Sequence, residues 1–165
     1  MIDINQKYFL MSFRFNKTTP EAFGLIPSDN NDKIYLDSKD NSRWIKMGLY
    51  DFGWGSETGF VRLPKLGFNG LWYLLTNSTV EENRYGAAAL ILSEHSAELL
   101  AYLTELFNSG ELINDSLRRA LEILKLEEPI NRSRIVGKKP HEIEADFQRW
   151  NWISEQVLKI KSTKT

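Results

Sequence analysis

The spacing of apolar residues changes once along this chain, at Phe68, and that change constrains the fold more than any single motif does. Before it, apolar and aromatic residues alternate in part with polar ones, the period of two that lets a strand bury one face. Tyr8-Phe9-Leu10-Met11-Ser12-Phe13-Arg14-Phe15 reads as a strand, broken by residues 16–20. A loop over residues 27–32 precedes a short strand, 33–37. Residues 43–52 and 58–63 then flank Gly53-Trp54-Gly55-Ser56-Glu57, and two apolar runs around a turn with two glycines predict a hairpin.

After Phe68 the apolar residues recur every three or four positions, as on one face of a helix. Residues 68–75 give a short helix. Ser78 and Glu81 form an S-x-x-E capping pattern for the next, which runs to about Leu92. Residues 93–96 read equally as a break or a continuation. Leu99, Leu100, Leu103, Leu106 and Phe107 stripe a further helix that Gly110 ends. Asp115 is placed to cap a helix carrying Leu117, Leu121 and Leu124, stopped by Glu127-Glu128-Pro129. Pro140 suits the first position of a last helix whose buried face holds Ile143, Phe147, Trp150 and Val157. The expectation is an α+β chain in a single domain, 1–165. A small antiparallel sheet region (1–64) precedes a helical part (65–165) of four or five helices.

With 42% hydrophobic and 26% charged residues, the chain has the composition of an ordinary globular domain. It has no cysteine, which excludes disulfides, thiol nucleophiles and cysteine-bearing zinc sites. Twenty-one basic and 22 acidic residues leave a net charge of −1, which argues against capture of nucleic acid by bulk charge. The N-terminus lacks a signal-peptide pattern, and no apolar run reaches the length of a membrane helix, so a cytoplasmic protein is expected. Four N-x-S/T sequons, at Asn16, Asn77, Asn114 and Asn131, then read as chance.

Gly53, Gly55 and Gly59 mimic a nucleotide-binding fingerprint, but a strand follows them where a phosphate cradle needs a helix N-terminus. Asp51 and Glu57 approach each other across the hairpin turn and read either as turn chemistry or as an acid–base pair. His141 and Glu144 make one His-x-x-Glu pair, short of the ligands a zinc site takes, so neither a metal nor another cofactor is expected. His95 lies beside Glu94, but sequence neighbours do not share a helical face. Trp54, between two glycines, either meets a partner or folds back on the sheet. Trp152 lies about 180° around its helix from Ile143. Either that helix is buried on two sides or Trp152 faces a partner. Gly86, inside a helix, implies close approach by another element. The basic segment around Arg132, Arg134, Lys138 and Lys139 reads as a solvated loop.

Asn83-Arg84-Tyr85-Gly86-Ala87-Ala88-Ala89-Leu90 and Leu117-Arg118-Arg119-Ala120-Leu121-Glu122-Ile123-Leu124 each place Arg ahead of a small or apolar run. The first resembles the second helix of HEAT-type repeats, but there is no third copy, and two ordinary amphipathic helices are the favoured explanation. With this stretch behind an aromatic-rich β region, the chain resembles bacterial immunity proteins of polymorphic toxin systems. That resemblance implies a non-catalytic protein that docks on a toxin and covers its active site, with Asp51, Trp54, Glu57 and Trp152 as candidate contacts. The near-neutral charge departs from the acidic immunity proteins that neutralise basic nucleases. The alternatives are a hydrolase-like enzyme using Asp51, Glu57 or His95, and a glycan-binding module built around Trp54.

Overall fold

The computed structural model describes residues 2–12, 19–28, 31–51 and 56–163. Among them the chain forms β1 (Phe9–Leu10), β2 (Leu25–Ser28), β3 (Asn31–Asp37), β4 (Arg43–Asp51) and β5 (Ser56–Arg62). These are followed by α1 (Phe68–Asn77), α2 (Glu81–Glu94), α3 (Ser96–Ser109), α4 (Asp115–Leu124) and α5 (Pro140–Ser162). The fold is α+β, with one antiparallel sheet in the N-terminal half and the helices after it. Two compact units divide the chain, residues 1–90 and 91–165, with the boundary inside α2.

In the first unit the strands run in the order β1-β5-β4-β3-β2, every neighbour antiparallel. The expected hairpin is β4–β5, in register from Trp44 opposite Arg62 to Asp51 opposite Ser56, with a shift between Gly48 and Tyr50. Among the described residues of the expected strand 8–15, Phe9 and Leu10 pair, with Val61 and Phe60; residues 13–15 lie outside the described residues. Pro27, expected in a loop, lies in β2 opposite Tyr35. β2 is an edge strand, and a strand with a neighbour on one side only tolerates a residue that cannot donate to a ladder.

Leu10, Leu25, Trp44 and Phe60 form a buried cluster, joined by Phe23 and Tyr35. Both aromatic neighbours meet Phe60 edge to face, at 6.0 and 5.2 Å between centroids. Trp44 keeps its indole N–H satisfied on the Ser42 hydroxyl at 2.8 Å, and Arg62 lies over its ring. The aromatic density of the N-terminal half therefore supplies this core in part.

α1 buries Leu71, Leu74 and Leu75, the three-and-four spacing of one helical face. Ser78, expected to cap α2, instead joins three segments: its hydroxyl donates to the Ile4 carbonyl and accepts from Val80 N–H and from the Asn83 amide. Asn83 is fully buried. Its amide also donates to the Gln6 carbonyl, and its oxygen accepts from Tyr8 N–H. One side chain thus ties the N-terminal segment to α2, and Lys7 adds an ion pair to Glu82 at 2.8 Å. Gly86 follows from the same contact: a Cβ there would lie 2.2 Å from Cγ of the buried Phe9. The element that approaches it is β1.

In the second unit His95 separates α2 from α3, so residues 93–96 contain a break. α3 buries Leu99, Leu100, Leu103 and Leu106 and ends on Gly110 at φ +69°. Asn114 caps α4, accepting from Leu117 N–H at 2.8 Å, and Asp115 is the first helical residue rather than the cap. α4 ends at Leu124, with Lys125 left-handed, before the Glu127-Glu128-Pro129 stop. α5 begins at Pro140 as expected, and buries Trp150, Ile153, Ser154 and Val157. Ile143 and Phe147, expected on that face, are only half-buried.

Candidate functional site

Residues 125–139, between α4 and α5, form the longest connection within the second unit. A connection of this length without regular structure is uncommon in a compact fold and is usually either a linker or a working loop. Here its first part is held by several side-chain bonds. The Arg132 guanidinium donates to the carbonyls of Lys125 (3.1 Å), Glu128 (3.1 Å) and Ile130 (3.2 Å). It also lies 5.6 Å from the Trp150 ring centroid, a cation–π contact worth roughly 0.5–2 kcal/mol. Burial pulls its pKa below the usual guanidinium value, and Glu128 offsets part of that, but an arginine stays charged throughout.

Trp150 is fully buried, and its indole N–H donates to the Ser133 hydroxyl at 3.0 Å. Ser154 donates to the Glu128 carbonyl, and Asn131 bridges Ile143 O and Ser133 N–H. Each bond occupies a polar group that would otherwise be desolvated without a partner. Two of the sequon asparagines have structural uses: Asn114 accepts from Leu117 N–H at the start of α4, and Asn131 donates to Ile143 O on α5.

Beyond this anchor the loop turns outward. Lys138 N–H donates to Ile135 O at 3.1 Å around Gly137, whose φ of +83° suits glycine in the third position of a type II turn. Lys138 pairs with Asp146 on α5, and Glu142 accepts from Lys139 N–H at 2.7 Å. The turn is therefore tied on both sides. What it displays is apolar: Val136 is 80% exposed, Ile135 56% and Ile130 50%. Exposed aliphatics are ordinary when scattered, and Leu112, Ile26 and Leu158 are exposed elsewhere, but three of them fall within this one cationic loop.

The residues singled out from sequence fall elsewhere. Trp54 lies outside the described residues, as do the side chains of Asp51 and Glu57. The backbone register puts Asp51 opposite Ser56 and Glu57 opposite Tyr50, on successive rungs of the hairpin. Trp152 is half-buried and meets Phe107 of α3 edge to face, 6.2 Å between centroids, so α5 packs on two sides. The ring of His95, the residue before α3, faces Glu98 in the first turn of that helix, at 3.0 Å. The exposed Glu144 engages Gln148. Among the described residues no three His, Asp or Glu side chains converge as a metal shell would require.

The loop was read from sequence only as a basic, solvated segment. The missed signal was Ile130, Ile135 and Val136, three aliphatics in a segment with neither helical nor strand period. Comparison with family profiles, characterised proteins and solved structures finds no match to this chain.

Proposed function

We propose that this chain is a non-catalytic protein-binding protein of the cytoplasm, working as immunity proteins of bacterial polymorphic toxin systems do, by docking on a toxin domain and blocking it. The observation that carries the reading is the loop tip at Ile135 and Val136, apolar and exposed, beside an anchor of hydrogen bonds at Arg132 and Ser133. A binding surface needs side chains whose burial releases water, held in place before the partner arrives so that little entropy is lost on docking. This tip has both. Among the described residues no helix is long and apolar enough to cross a membrane.

The test is co-expression with the product of the adjacent gene. A one-to-one complex that relieves that product's toxicity is expected. Toxicity unchanged, with no complex on size exclusion, would remove the immunity reading. Hydrolytic turnover by the isolated chain, lost on Asp51→Asn, Glu57→Gln or His95→Asn, would replace docking with catalysis.

A further inference from the structure

From Pro129 to His141 the chain contains Arg132, Arg134, Lys138 and Lys139 and no acidic residue, within a protein of net charge −1. Arg132 spends its charge on carbonyls inside the loop, and Lys138 spends its own on Asp146. Arg134 and Lys139 remain exposed on either side of Ile135 and Val136. In sequence the two aliphatics lie between Arg134 and Lys139, on a turn shaped by Gly137 next to the anchor at Arg132, Ser133 and Trp150, with the Glu142 carboxylate accepting from Lys139 N–H at its far end.

We propose that residues 134–139 are the docking element for a protein partner carrying an apolar pocket rimmed by carboxylates. The proposal rests on the protein-binding reading above and specifies its surface and the chemistry of its partner. Charge complementarity selects the rim: carboxylates opposite Arg134 and Lys139 steer encounter and reject basic surfaces. The aliphatic pair selects the pocket, where desolvated apolar contact at the centre carries the energy and the charged edge excludes water.

An anionic membrane shares the charge but not the shape. A bilayer does not need a rigidly preformed turn, and its interface favours Trp and Tyr over Ile and Val. Two aliphatics and two exposed cations also fall short of what lasting membrane attachment takes. Nucleic acid fits less well, since the centre of the tip has no aromatic or guanidinium plane on which a base would stack.

The experiment uses the full chain with three variants: Val136→Asp, Ile135→Ser, and the pair Arg134→Glu with Lys139→Glu. Ile135 and Val136 are exposed, so thermal unfolding of their variants should match the parent; Lys139 is the N-cap of α5, so the charge pair's binding is compared only where its unfolding also matches. Against the adjacent-gene product, Val136→Asp should weaken binding about thirty-fold or more. The charge pair should slow association and flatten its salt dependence. A complex formed equally well by the parent and by Val136→Asp would overturn the loop proposal and leave the binding reading standing.

If the parent binds no such product, a displayed random-peptide library panned on the parent decides the loop separately. Enrichment of peptides combining Asp or Glu with apolar residues, and their failure to bind Val136→Asp, would support it. No enrichment, or enrichment indifferent to that change, would overturn it. Sedimentation with vesicles of equal parts phosphatidylserine and phosphatidylcholine, lost in Val136→Asp, would overturn the protein partner and assign the tip to a lipid surface.

Discussion

Gly86 shows how a single residue's cost and benefit are decided by what stands beside it. Alanine in a helix interior is favoured over glycine by about 1 kcal/mol. At Gly86 the added methyl would sit 2.2 Å from a ring carbon of Phe9, itself 1% exposed, and overpacking of that kind costs roughly 1–3 kcal/mol or more. We therefore expect Gly86→Ala to lower the urea midpoint, and expect combining it with Phe9→Ala to recover part of the loss. A Gly86→Ala protein more stable than the parent would show that the ring yields.

Carboxylates set the acid limit. At Glu82 burial raises the pKa, but the hydrogen bond from Lys7, a backbone N–H and the Lys7 charge together hold it below the usual glutamate value. Glu98 is lowered by its hydrogen bond from His95, and Asp40 by hydrogen bonds from Ser42 and then by Arg62. A depressed carboxyl is deprotonated in the folded state where the unfolded chain would take a proton. Its contribution is therefore present above the unfolded pKa and lost as pH falls through the folded one. Unfolding followed across acidic pH should show stability falling below the ordinary carboxylate range. Glu82→Gln should flatten part of that fall, and an unchanged slope would mean the Lys7 pair does not form in solution.

At the scale of elements, the loop before α5 depends on a few long-range polar bonds. Ser133→Ala would leave the buried Trp150 N–H without a partner, at a cost of about 1–3 kcal/mol. Arg132→Lys would keep the charge but lose the planar fork that reaches three carbonyls. Both variants should speed amide exchange over residues 134–139 before global stability is lost. Exchange there as fast in the parent as in either variant would deny that the anchor rigidifies the tip.

These bonds mark the limit of what sequence shows. The β4–β5 hairpin, the start of α5 at Pro140 and the end of α3 at Gly110 were legible because each is governed by residues within a few positions. β2 was not, because Pro27 reads as a break until the strand is known to lie at a sheet edge. Ser133 bonds to Trp150 seventeen positions away, and Asn83 to Gln6 at a separation of seventy-seven, so no local pattern announces either. The candidate site inherits that difficulty. Its cations were visible in sequence, but the bonds that anchor the loop to Trp150 and to its own carbonyls were not.

Across the whole molecule, the near-balance of charge means that attraction to a partner must come from where charges lie rather than from their sum. Binding through the loop should weaken with added salt while unfolding changes little. The chain has no cysteine, and the described residues gather no metal shell, so EDTA and reductant should leave the melting temperature unchanged. A clear drop with EDTA would point to a structural ion.

The central claim is that this chain works by docking through a preformed apolar tip. Hydrogen exchange of the chain alone and in complex with the adjacent-gene product tests it most directly, because it maps the surface without presupposing it. The account predicts that protection on binding concentrates over residues 130–139 and disappears in Val136→Asp. Protection confined to β4 and β5, with residues 130–139 unchanged, would contradict it.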